Sequence, residues 1–240
     1  MSITEKLAIL AENTIKVHDA GKKSQWNEFW DNFQLYGARR SYNFAFINSG
    51  NWNKKTFKPK YDIILEGNAS NAFYTWQGLS EPVDIGAILK EQGVTINTRN
   101  ATNVQNLFAY GSSIVGSLPT IDLTSAGGNT SGIFNSVMVT TIEKLVVTEA
   151  TNFSNMFRGC ANLKNIVFEG TIATGTLSLS SCIKLTAQSL ASVINALSGT
   201  TSGLSVTLPA HAKDTYDAAY GSGAWETLVA TKSNWEITYA

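Results

Sequence analysis

The sequence predicts a mixed α/β fold: a short solenoid of stacked short strands, opened by an N-terminal helical region and closed by a C-terminal αβ cap. Three observations predict it. A Thr-Asn-x-x-Asn-apolar-Phe motif occurs at Thr102–Phe108 and returns at Thr151–Phe157. Each copy runs on into a short strand-like segment, such as Ile121-Asp122-Leu123 or Ile166-Val167-Phe168. The anchor residues Phe73, Phe108, Phe134, Phe157 and Leu179 stand 35, 26, 23 and 22 positions apart, and a recurrence of about 20 to 50 residues is the mark of a repeat architecture.

Residues 1–60 form the predicted N-terminal helical and aromatic-rich capping region. Ile3, Leu7, Leu10, Thr14 and Val17 alternate in steps of four and three, which predicts a helix over 3–20 with a heptad seam interrupted at Thr14. Such a seam is a candidate contact for a homo-oligomer. It spans only about two and a half heptads, which is marginal for an isolated helix. Gly21 is a stop signal, and Trp26, Phe29, Trp30 and Phe33 share one face of a second helical stretch over 25–34. The Asn-, Gly- and aromatic-rich run from Tyr42 to Phe57 reads as a hairpin or an irregular cover for the first repeat.

Residues 61–208 carry the repeats. Ile114 follows Phe108 by six positions, as Leu163 follows Phe157. A third copy runs from Asn129 to Phe134 and ends in Leu145-Val146-Val147; a fourth, Leu177–Leu185, aligns Cys182 with Cys160; a degenerate first copy holds Asn71-Ala72-Phe73 and Leu79. In each strand the first and third side chains point inward, and an apolar pair such as Met156-Phe157 lines the opposite wall. No single copy can bury both, whereas stacked copies share one interior. Asn at a fixed place in each turn is expected to bond backbone groups left unpaired by the bend. Ala187–Leu197 reads as a helix with Leu190, Ile194 and Leu197 inward, followed by alternating strands at Leu204–Leu208 and Trp235–Tyr239. Residues 209–240 form the predicted C-terminal cap.

The run Thr-Asn-Phe-Ser-Asn-Met-Phe-Arg-Gly-Cys-Ala-Asn-Leu at 151–163 resembles the repeat of BspA-like leucine-rich-repeat surface proteins, where Met-Phe-x-x-Cys-x-x-Leu recurs. The segment Leu208-Pro209-Ala210 with Tyr216 and Trp225 is similar to the closing strand and cap helix of such proteins. The wider layout, from Thr4-Glu5-Lys6-Leu7 to Trp235-Glu236-Ile237-Thr238, resembles leucine-rich-repeat proteins of gut bacteria and their phages or prophages. The resemblance implies a leucine-rich-repeat-like solenoid used in adhesion or host contact, binding a protein or glycan at a cell or virion surface. It implies no enzymatic activity.

Composition narrows the function classes. With 18 basic and 18 acidic residues the formal net charge is zero, which removes the electrostatic case for a nucleic-acid or anionic-membrane partner. Charged residues make up 15%, well below the usual rough quarter, so the expected surface is polar but weakly charged. No apolar stretch approaches the length of about 18 residues that a membrane helix needs, so no membrane insertion is expected. Met1–Lys6 lacks a basic start followed by an apolar core, which predicts no secretory leader. Either the mature protein starts here, or the chain reaches the outside by assembly or lysis.

No cofactor, metal or catalytic constellation is expected. His18 and His211 lie near opposite ends of the chain, and neither is flanked by a metal-ligand or base–nucleophile pattern. Cys160 and Cys182 share one repeat position, leaving open either a bridge or two free thiols packed as small core residues. The two-glycine signals at Gly127-Gly128 and Gly221-Ser222-Gly223 lack the Lys-Ser/Thr of a phosphate loop. Two surfaces remain. In–out alternation predicts Asp122, Val146, Val167 and Ser178 as an outward row of the strand face. The aromatic cluster around Trp26, Trp30 and Trp52 is the alternative, either a carbohydrate platform or the core of the N-terminal cap. A glycan-active enzyme would need two carboxylates facing one cleft, and the sequence shows no such pair.

Overall fold

The computed structural model describes residues 57–60, 62–77 and 81–240. The expected helices over 3–20 and 25–34, the cover at 42–56, the aromatic residues Trp26, Trp30 and Trp52, and Leu79 lie outside the described residues. Among those described, the chain is mixed α/β, with eight short strands, four helices and no closed barrel.

The strands are β1 (Ile63–Asn68), β2 (Ile96–Asn103), β3 (Ser117–Leu118), β4 (Ile121–Asp122), β5 (Thr141–Val147), β6 (Asn165–Gly170), β7 (Leu204–Leu208) and β8 (Trp235–Tyr239). The helices are α1 (Ile85–Gln92), α2 (Ala187–Ala196), α3 (Ala212–Tyr220) and α4 (Ala224–Ala230). Every strand pairing is parallel. β1 pairs with β2; β3 and β4 both pair with β5, which pairs with β6; β7 pairs with β8. Pro119 separates β3 from β4, because a proline offers no N–H to the ladder.

Alternation sets the inward face. Ile121, Leu123, Leu145, Val147, Ile166 and Phe168 are buried, while Val167 between the last two is exposed. The opposite wall is built on phenylalanines. The rings of Phe73 and Phe108 stack at 5.1 Å, Phe108 and Phe134 at 6.1 Å, and Phe134 and Phe157 at 5.6 Å. Backbone bonds tie the same turns together: the amides of Phe73, Phe108 and Phe134 donate to the carbonyls of Leu107, Ile133 and Met156. These side chains belong to one contiguous apolar cluster running from Phe57 to Trp235.

Each turn of that wall repeats one backbone device. Residues two before and two after the anchor phenylalanine have positive φ: Asn71 and Thr75, Asn106 and Tyr110, Gly132 and Ser136, Asn155 and Gly159. Left-handed backbone suits Gly and Asn, which explains the second Asn of the motif. The first Asn acts through its side chain. Oδ1 of Asn68, Asn103 and Asn152 accepts the amides of Ser70, Gln105 and Ser154 at 3.0, 3.0 and 2.9 Å.

Helix α1 is absent from the sequence reading and accounts for the longer first spacing, since it fills the interval between Phe73 and Phe108. Asp84 caps it by accepting the Ala87 amide, and Gly93 closes it in the left-handed region. At the other end the cap holds two helices, α3 and α4, where one was expected. Lys213 pairs with Glu226 between them, and Asp217 Oδ1 accepts the Trp225 amide at 2.8 Å.

Candidate functional site

The expected outward row of the strand face divides in the structure. Asp122 and Val146 are register partners. The next partner of Val146 is Glu169, because a register shift between Ile142 and Leu145 displaces Val167 from the row. Val167 still faces solvent, at 49% exposure. Ser178 bridges Thr207 beside β7 rather than extending the β4–β5–β6 ladder. The face therefore reads Asp122, Val146, Glu169, with Lys144 paired to Glu169 at 2.6 Å. A lone exposed ion pair of this kind contributes little.

The opposite wall carries more chemistry. Tyr110 sits two residues after its phenylalanine, where the other turns hold Thr75, Ser136 and Gly159. Its φ is 57° and its side chain is 42% exposed. A bulky residue in left-handed backbone is an outlier. The Tyr110 ring packs edge-on against Tyr74, centroids 5.5 Å apart.

Further along that wall a shallow depression of about 140 Å³ is lined by Asn155, Arg158, Ser178, Ser180 and Ser181. The Ser178 and Ser180 hydroxyls lie 3.1 Å apart. Arg158 is exposed, and among the described residues its guanidinium has no ion pair or hydrogen bond. Hydroxyls, an amide and one guanidinium line the hollow, and no carboxylate does. Backbone bonds fix its distance from Tyr110: the Tyr110 amide donates to Asn135 O, and the adjoining Ser136 amide donates to Arg158 O. Two turns therefore separate the tyrosine from the arginine, about 10 Å at the spacing of paired strands.

Neither feature was read from the sequence. A signal for Tyr110 existed: alignment on the phenylalanine puts one large ring in a column otherwise occupied by Thr, Ser and Gly. No comparable signal marked the depression, since its lining comes from two turns whose alignment loosens at Leu179.

The remaining candidates take other places. Cys160 and Cys182 are free and buried. Burial pushes the Cys160 thiol up to about 12, and burial followed by the neighbouring Cys160 raises that of Cys182. The Cys160 thiol donates to Phe134 O at 2.9 Å. These are the properties of packed core thiols rather than nucleophiles. His211 precedes α3, and its Nε2 is buried without a hydrogen bond. Among the described residues no three His, Cys, Asp or Glu gather to hold a metal, and no helix is long and apolar enough to cross a membrane. No protein-family model, no curated protein and no solved structure matches the chain.

Proposed function

We propose that the chain is a non-catalytic repeat scaffold, a short leucine-rich-repeat-like solenoid related to the BspA-like surface proteins. In this reading it contacts a protein or glycan at a cell or virion surface. One observation carries it: the four-ring stack Phe73–Phe108–Phe134–Phe157, tied turn to turn by backbone amides. A ladder of this kind makes each turn depend on its neighbours and spreads a long, regular surface. The repeated left-handed pairs flanking each phenylalanine support the same reading, because they give unlike sequences one turn geometry.

The surface so formed is hydroxyl- and amide-rich with sparse charge, suited to hydrogen bonding with polar neutral or weakly charged partners and poorly suited to nucleic acid. The test is binding of the full chain to a glycan array and to immobilised cell-surface proteins, with the glycans recovered and sized afterwards. Saturable binding with intact glycans is expected. Cleaved glycans, or no binding to either class, would overturn the reading.

A further inference from the structure

The turn wall combines two features that burial in the core does not explain. Tyr110 holds a large, half-exposed ring on left-handed backbone, in a column that Thr, Ser and Gly fill elsewhere. A ring contributing only to the core would be buried, and Phe108 already supplies the buried ring of that turn. The left-handed backbone belongs to every turn; what sets Tyr110 apart is a large, half-exposed ring kept where Gly would fit without strain, which points to use of the side chain. Two turns away, Arg158 lines one hollow with three serines and Asn155, and among the described residues no acid pairs with it. The hollow has the liquid volume of about four to five waters, enough for one carboxylate or sulfate group.

We propose that this wall binds an acidic saccharide, with a sugar ring stacked on Tyr110 and a carboxylate or sulfate seated against Arg158, Ser178, Ser180 and Ser181. The proposal deepens the scaffold reading above and rests on it. Flat aromatic faces stack on sugar rings, and a guanidinium with convergent hydroxyls supplies charge-assisted bonds to an oxyanion. The separation of two turns matches the reach of a disaccharide. The single arginine argues against a phosphopeptide, whose recognition uses arginine clusters, and the balanced charge argues against polynucleotide.

The experiment is calorimetric titration of the full chain with oligogalacturonate, sialyllactose and a chondroitin sulfate oligosaccharide, with lactose as the neutral probe and a phosphotyrosine peptide as the competing class. At least one acidic probe is expected to bind about tenfold or more tightly than lactose, the discrimination one charge-assisted contact gives. Arg158→Gln should abolish that preference. Tyr110→Gly should weaken saccharide binding while the melting temperature changes little, because relief of the left-handed backbone offsets the lost edge contact with Tyr74. Tyr220→Ser, altering an exposed tyrosine of the cap, should bind as the parent does. Preference for oligogalacturonate or sialyllactose assigns the oxyanion as carboxylate; chondroitin sulfate carries both groups, so preference for it assigns sulfate only if the desulfated oligosaccharide binds more weakly. Equal binding of lactose, preference for the phosphopeptide, or parental binding by both Arg158→Gln and Tyr110→Gly overturns the site. A melting temperature that falls in Tyr110→Gly with binding intact makes the tyrosine structural and also overturns it. Failure of all saccharides together with binding to an immobilised protein sinks this site and leaves the scaffold reading standing; failure of every surface sinks both.

Discussion

The Phe168 amide donates to Ser192 Oγ at 2.7 Å, and that bond turns a helix into the cover of an open strand edge. β6 is the last strand of its sheet, and its outer amides would otherwise lack partners. Ser189 Oγ accepts the Ile166 amide at 3.0 Å and donates to Lys164 O at 3.1 Å. Serines three apart on a helix meet amides two apart on a strand, because both intervals span one face. An uncovered edge is a template for pairing with other chains.

Ser192→Ala should therefore destabilise the protein by about 1–2 kcal/mol, the cost of orphaning one partly buried amide, and the double variant with Ser189→Ala by about 3 kcal/mol. Urea unfolding measures this. Gln188→Ala, on the exposed side of the same helix, is the neutral control. A double variant as stable as the control would show that water satisfies the edge and that α2 is not its cover.

Gly116 has φ 67°, and a methyl there would run into the Asp84 carboxylate. That carboxylate accepts the Ala87 amide at 2.9 Å and the Ser117 amide at 3.0 Å, so displacing it uncaps α1 as well. Gly116→Ala should cost about 3 kcal/mol, backbone strain plus a lost cap. Gly127→Ala shares the positive φ but meets nothing within 4 Å, and should cost about 1 kcal/mol. Comparable melting temperatures for the two variants would remove the Asp84 contact from the account.

The motif Thr-Asn-x-x-Asn-apolar-Phe was legible because each position answers to a separate constraint. Asn152 turns the chain with its side chain, Asn155 takes the left-handed backbone, and Met156 and Phe157 fill the interior. Strand polarity was legible for the same reason, in the burial of Ile166 and Phe168 around Val167. Lateral alignment was not. Val167 opposes no member of the Asp122–Val146 row because a register shift intervenes, and nothing in a periodic pattern reports a shift confined to one pair of strands. Ser178 joined the wrong row because it pairs with Thr207, a partner 29 positions away. Tyr110 stands out only when the turns are aligned on their phenylalanines, and its left-handed backbone is not displayed by residue type.

The two thiols make a pH prediction. Burial holds Cys160 protonated up to about 12, against an ordinary 9.0, and raises Cys182 in the same direction. The unfolded chain releases both protons near the ordinary value while the folded chain keeps them. The unfolded state then binds fewer protons, so stability falls as pH rises. It should be level with respect to these groups below pH 9 and decline from there towards 12. Urea midpoints between pH 8 and 10.5 check this, with Cys160→Ala/Cys182→Ala as the variant in which the decline is reduced. A parent slope equal to the variant's would place the thiols in contact with water. Native protein should also react slowly with a thiol-specific reagent at pH 8 and rapidly once unfolded.

Phe134 lies between two stacked rings, 6.1 Å from Phe108 and 5.6 Å from Phe157. Removing it opens a void with an aromatic face on either side, and neither ring can shift far without breaking the amide bonds that hold its turn. Phe134→Ala should cost about 3–5 kcal/mol, and Phe134→Leu less than about 2 kcal/mol. The distribution of the loss is more informative than its size. If turns are coupled through neighbours, hydrogen exchange should quicken most at the Phe108 and Phe134 amides, which bond Ile133 O and Met156 O. The effect should fade towards β7 and β8. Protection lost evenly from Phe73 to Tyr239 would mean that the chain melts as one cooperative body. The stacked turns would then be a pattern of packing and not the independent units on which a repeat scaffold is built.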